Sequence, residues 1–152
     1  MKIGIDLHGV LDTNPELFTD MACEVLNSII ATKPEVHIVT GMPWSKELRE
    51  ELVVYGNGVK WWTHFYSITD DLLKRNIKWE VDENGNKSFP DYSWNIAKAI
   101  YCSHHNIDIM YDDSPTYGRY FITPYVQYQH TSEEERKTFD KKKLFVDHQR
   151  DG

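Results

Sequence analysis

Two cysteines in 152 residues are too few for a disulfide framework. Cys23 and Cys102 stand far apart, each inside a helix-like pattern and at the wrong spacing for a structural zinc site, so both read as buried thiols. Positive charge is also short: 17 Lys and Arg face 24 Asp and Glu, a formal charge of -7. A chain with that balance has no broad basic face to neutralise a nucleic-acid backbone or an anionic membrane surface. Long apolar runs are missing as well. No segment approaches the roughly 20 residues that span a bilayer, and Asp6, His8 and Asp12 fall where a secretory signal needs its apolar core. The expectation is a cytoplasmic protein with no membrane contact. Ser/Gly-rich linkers, internal repeats and low-complexity tracts are absent too, so the chain reads as one domain over residues 1–130 with a polar tail or helix over 131–152.

What is present alternates. Residues 2–7 are a short apolar run that predicts a strand. Asn14-Pro15-Glu16 then offers a cap, a first-turn proline and a first-turn acid. Leu17, Phe18, Met21, Ala22, Val25, Leu26, Ile29 and Ile30 follow at helical spacing, up to the break at Thr32-Lys33-Pro34. A strand is predicted over 36–39 and a charged amphipathic helix over 45–55, stopped by Gly56-Asn57-Gly58. Residues 59–68, aromatic and β-branched, predict a third strand, with Thr69 capping a brief helix that carries Asp70 and Asp71 in its first turn. Segments 77–81 and 87–89 flank Asn84-Gly85, the strongest short hairpin signal. Asp91 or Ser93 caps a helix to about His104, and 107–111 and 120–124 complete the strands. This order predicts an α/β fold: a Rossmann-like parallel sheet flanked by helices, with a small β-hairpin flap.

Ligands of such sheets collect at the carboxyl ends of the strands, near the point where strand order reverses. The first predicted strand ends at Asp6 and His8, the second at Thr40, and the strand over 107–111 at Asp112 and Asp113. Carboxylates from two strands converging with a hydroxyl from a third are what a Mg²⁺ and phosphoryl site needs, because Mg²⁺ takes hard oxygen ligands and offsets the repulsion between a carboxylate and a phosphate. Each residue alone has a plainer reading. A strand-end acid is more often a turn or cap residue, and Thr40 by itself satisfies backbone groups. Two apolar strands both ending in acids shift the odds toward a functional site.

The stretch Ile3-Gly4-Ile5-Asp6-Leu7-His8-Gly9-Val10-Leu11-Asp12 resembles the first motif of the haloacid dehalogenase (HAD) superfamily, an apolar strand followed by Asp-x-Asp-Gly-Thr/Val-Leu, with His8 in place of the second aspartate. Val36-His37-Ile38-Val39-Thr40-Gly41 is similar to the second motif, and Ile107-Asp108-Ile109-Met110-Tyr111-Asp112-Asp113 to the fourth. The resemblance implies a Mg²⁺-dependent phosphohydrolase acting on phosphomonoesters through an aspartyl phosphate. Asp6 would be the nucleophile, and Thr40 and a lysine would hold the phosphoryl oxygens. Asp6, Asp112 and Asp113 would hold the metal, together with the backbone carbonyl of His8. The His8 side chain would take over as general acid and base, for which an ordinary imidazole pKa of about 6.5 suits it. The lysine is chosen among three: Lys98 first, Lys74 second and Lys87 last, each against the plainer reading of a solvated surface residue. The interval between the first two motifs holds one helix, which leaves no room there for a large cap domain. The substrate would be a phosphorylated small molecule, a nucleotide or a nucleic-acid end. The alternative is a catalytically decayed HAD-like phosphate-binding or regulatory protein, motivated by His8.

Other residues have plainer readings. Arg119 and His104-His105 suit helix ends, and Asp12 suits a cap into the first helix. The aromatics Trp44, Trp61, Trp62, Phe65, Tyr66, Trp79 and Trp94 are expected to fill the core, with Trp44, just past a strand end, the exception that merits a test.

Overall fold

The computed structural model describes residues 1–28 and 33–129. In chain order its elements are β1 (Lys2–Ile5), a 3₁₀ turn (Leu11–Thr13), α1 (Pro15–Leu26), β2 (Glu35–Thr40), α2 (Lys46–Tyr55), β3 (His64–Ser67), α3 (Ile68–Lys74), β4 (Glu80–Val81), β5 (Lys87–Ser88), α4 (Asp91–His104), β6 (Ile109–Asp112), α5 (Pro115–Gly118) and β7 (Tyr125–Gln127). Five strands form one parallel sheet in the order β3-β2-β1-β6-β7, and β4 and β5 pair antiparallel as a separate hairpin. The expected α/β, Rossmann-like architecture is present. Ile29 and Ile30, read as the end of the first helix, and the tail over 131–152 lie outside the described residues.

The period of two along each strand sorts the core. Ile3, Ile5, Val36 and Ile38 face α1 and α2, where Phe18, Ala22, Leu48 and Leu52 meet them. Val39 and Met110 pack in a second cluster with Cys102 of α4. Burying each such aliphatic side chain is worth about 1.5–3 kcal/mol relative to leaving it in water. Gly4 sits where a Cβ would meet the Met110 sulfur at 2.6 Å, so a side chain there would require the Met110 side chain to shift.

Helix starts follow local chemistry. The Asn14 side chain accepts from the Leu17 amide and Ser45 from the Leu48 amide. The short helix begins earlier than its expected cap. Ser67, the last residue of β3, caps α3 by accepting from the Asp70 amide, while the Thr69 hydroxyl donates to the Gly41 carbonyl at 2.7 Å. Pro90 occupies the cap position of α4 without a side-chain bond, which leaves Asp91 and Ser93 inside the helix. The hairpin turn is built as its sequence suggests: Gly85 has φ +80°, and Asp82 Oδ1 accepts from the Asn84 and Asn86 amides at 2.9 Å each.

Three expectations are corrected. Residues 120–124 are not a strand. The Tyr120 and Phe121 amides close turns off α5, Ile122 is 85% exposed, and bonding to β6 begins at the Pro124 carbonyl, which accepts from the Met110 amide at 2.9 Å. Cys23 is exposed, because it sits one residue and about 100° past the inward-facing Ala22. Trp79 is also exposed, since the β4–β5 hairpin has no layer packed on it there; the Lys87 ammonium rests over its ring at 4.8 Å. Trp61 and Trp62 are buried, as core residues should be.

Candidate functional site

Strand order reverses between β1 and β6, so the crevice beyond their carboxyl ends is where a ligand has most room among backbone dipoles. Asp6 follows β1 directly and is fully buried; Asp112 ends β6 and is fully buried; Asp113 comes next, 3% exposed. One oxygen from each lies within 4.8 Å of the others. Parity explains the pairing: Gly4 and Met110 meet across the sheet, so Asp6 and Asp112, each two residues on, share that face.

Lys98 comes from α4 beneath them. Its ammonium donates to Asp6 Oδ1 and to Asp112 Oδ2, each at 2.9 Å, and the side chain is wholly buried. It also lies 4.9 Å from the centre of the Tyr117 ring, whose hydroxyl accepts from Trp94 Nε1 at 2.8 Å. Of the three candidate lysines only Lys98 reaches the acids. Lys74 is exposed at the end of α3, and Lys87 is on the hairpin.

Three carboxyl groups gather around the Lys98 ammonium, so acids outnumber bases among the residues that meet here. Burial first, and then the Asp112 charge, raise the Asp6 pKa well above the ordinary carboxylate value, against the lowering effect of Lys98. Burial alone would lower the Lys98 pKa, but Asp112 and Asp6 outweigh it and hold the ammonium above its usual range. Asp6 Oδ1 accepts a second bond, from the Leu7 amide at 2.8 Å, whereas Asp6 Oδ2 is buried and accepts none among the described residues. A buried carboxylate oxygen with no donor, in a pocket where acids outnumber bases, fits a cation with a preference for hard oxygen ligands.

The loop after β1 is shaped for this. Gly9 adopts φ +79°, and a Cβ there would come within 1.9 Å of Asp113 Oδ2. Asp12 does not cap the first helix, a role taken by Asn14; it accepts from the Gly9 amide at 2.8 Å and holds His8 Nδ1 at 3.1 Å. Because a carboxylate only accepts, Nδ1 carries the hydrogen and Nε2 is left as the free basic atom. The sequence contained the signal for this partnership in the i, i+4 spacing of His8 and Asp12, which the cap reading overlooked. Tyr117 had no such signal.

Thr40 ends β2 with no exposure, its hydroxyl oxygen accepting from the Met42 amide at 3.1 Å. Just past it, His8, Gly41 and Met42 face Asn86 and Lys87 of the hairpin across a cleft of about 470 Å³. The hairpin thus walls the mouth of the crevice. A larger groove of about 580 Å³ lies along β3 and is lined by Trp44, Phe65, Lys74, Asp70 and Asp71; Asp6, Asp112 and Asp113 line neither cavity. Trp44 is 43% exposed there, edge-on to Phe65. Arg119 is the exposed C-cap of α5. Among the described residues no helix is long and apolar enough to cross a membrane. No protein-family model, curated protein or solved structure matches the chain.

Proposed function

We propose that the chain is a phosphohydrolase of the HAD type, acting on phosphomonoesters through Asp6. The observation that carries the reading is the buried Lys98 ammonium bridging Asp6 and Asp112, with Asp6 Oδ2 left undonated at the strand-order switch. A buried cluster in which acids outnumber the one ammonium, and in which an Asp6 oxygen has no donor among the described residues, is suited to receive a cation.

Asp6, Asp112 and Asp113, with the backbone carbonyl of residue 8, would hold Mg²⁺. When bound, the ion would supply two positive charges that keep Asp6 ionised and draw in a phosphate. Asp6 attacks phosphorus and the bond to the leaving oxygen breaks, giving an aspartyl phosphate. Lys98 and the Thr40 hydroxyl steady the transferring oxygens. His8, held by Asp12, faces the 470 Å³ cleft through which the leaving group departs. Its imidazolium gives the leaving oxygen a proton, then takes one back from the water that attacks phosphorus and frees Asp6 and inorganic phosphate. Asp12 fixes the ring's orientation and tautomer, the service a carboxylate performs for histidine in hydrolytic triads.

A panel of phosphomonoesters, nucleotides included, assayed with and without Mg²⁺ tests the proposal. Turnover that needs the ion and is abolished by Asp6→Asn supports it. Binding of Mg²⁺ and phosphate with no turnover anywhere in the panel would replace it with a phosphate-binding protein on the same scaffold.

A further inference from the structure

His37 is an anomaly in the sheet. It lies within β2, wholly buried, on the strand's opposite face from its apolar neighbours Val36 and Ile38. Glu35 is two residues before it and so shares its face, and the β2–β3 register sets His64 directly beside it. The two imidazoles are 4.2 Å apart and 6° from parallel. His105, at the end of α4, brings a third ring to 5.7 Å from His37. One ligand atom each from Glu35, His37 and His64 falls within 4.8 Å of the others.

We propose that Glu35, His37 and His64 form a second metal site, for a Zn²⁺-class transition ion. Along β2 its ligands Glu35 and His37 stand five and three residues before Thr40, about 17 Å and 10 Å at 3.3 Å per residue. The donor set differs in kind from the three carboxylates: two imidazoles and one carboxylate suit Zn²⁺, whereas Mg²⁺ takes oxygen.

The surroundings are those of a ligand histidine. His37 Nδ1 is 2.6 Å from the Tyr101 hydroxyl and Nε2 is 2.7 Å from Glu35 Oε1. Without metal, Nε2–H donates to Glu35 and the tyrosine hydroxyl donates to Nδ1. A metal on Nε2 requires the ring proton on Nδ1, and Tyr101 can accept it by turning its own hydrogen away, so the neutral ring changes tautomer with no net gain or loss of a proton. Such an outer partner fixes tautomer and ring orientation in most metal-bound histidines. Lys2 lies 3.8 Å from the other carboxylate oxygen, Oε2, and leaves Oε1 to the metal. His64 is the movable ligand. Its side chain is 45% exposed, and its Nδ1, now 2.8 Å from the Thr63 hydroxyl and 4.0 Å from Glu35 Oε1, reaches the metal by rotating out of the stack.

The test is Zn²⁺ titration of chelator-stripped full chain with Mg²⁺ in large excess to fill the oxygen site, paired with Co²⁺ absorption as a reporter of nitrogen ligation. The expected result is one equivalent of Zn²⁺, and a visible Co²⁺ band that Zn²⁺ displaces. His64→Ala and Glu35→Gln, both at partly exposed positions, should each weaken binding by at least tenfold, and Tyr101→Phe by about 10–100-fold as an outer partner. Asp112→Asn should leave it unchanged. No Zn²⁺ bound under these conditions, or binding that survives His64→Ala and Glu35→Gln, would overturn the proposal and reduce the cluster to a hydrogen-bonded chain from Glu35 to Tyr101.

Discussion

Replacing Lys98 with methionine keeps most of the side-chain volume and removes one charge, which isolates the electrostatics of the buried triad. In the native chain the ammonium sits 2.9 Å from two fully buried carboxylates. Breaking a buried ion pair by removing one partner costs about 3–5 kcal/mol, because the remaining buried charges lose the counter-charge that offsets their desolvation. For a domain of this size about 3 °C of melting temperature accompanies each kcal/mol, so Lys98→Met should lower Tm by roughly 10–15 °C in metal-free buffer at neutral pH. The pH dependence has a defined sign. Asp6 has a folded pKa raised above its unfolded value, so the folded chain binds the extra proton, and stability falls as pH rises from the ordinary carboxylate range through the raised value. Loss of Lys98 raises that value further. The deficit of the variant should therefore be largest at neutral pH and shrink toward pH 5, where Asp6 takes up a proton in place of the ammonium. Thermal melts followed by circular dichroism from pH 5 to 8 with EDTA present provide the measurement. A variant that melts with the native protein at every pH would refute the reasoning, since it would mean that the triad is hydrated and Lys98 is not its counter-charge.

Mg²⁺ in excess should raise the native Tm by mass action, and Asp112→Ala should abolish that rise while the metal-free variant still melts cooperatively; equal rises in both proteins would put the ion elsewhere. Gly9→Ala should be harmful out of proportion to one methyl, since its Cβ would lie 1.9 Å from Asp113 Oδ2 at a backbone φ of +79°. The expected cost is about 1–3 kcal/mol by chemical denaturation, with loss of the Mg²⁺ effect, and an unaffected Mg²⁺ response would show that the loop does not shape the site. His8→Asn should slow turnover of an active phosphomonoester by about 10²–10⁴-fold and leave the Mg²⁺-induced rise in Tm intact, because residue 8 would offer the metal only its carbonyl. Full turnover by this variant would make the histidine a spacer, and activity appearing only in His8→Asp would mark the natural site as decayed.

The sequence by itself determined the alternation of elements and the places where acids end strands. Both are local: apolar runs of strand length, cap residues such as Asn14 and Ser45, and the Asn84-Gly85 turn act within a few residues of themselves. Asp6, Thr40, Asp112 and Asp113 could be singled out for the same reason, since each immediately follows or ends an apolar run. What only the tertiary structure decided is which residues meet. Lys98 is 92 residues from Asp6 in the chain, and its reach depends on how α4 crosses the sheet. The strand after α5 lies later than its apolar run suggests, because hydrophobicity alone does not show that Tyr120 and Phe121 are held in turns and that bonding to β6 begins at the Pro124 carbonyl. His37 shows the division most plainly: its spacing from Glu35 is written in the chain, but its neighbour His64 is set by the register of two parallel strands, and the burial that makes it unusual is imposed by α4. Register and helix placement are settled by the packing of the whole core, and no window of sequence contains that sum.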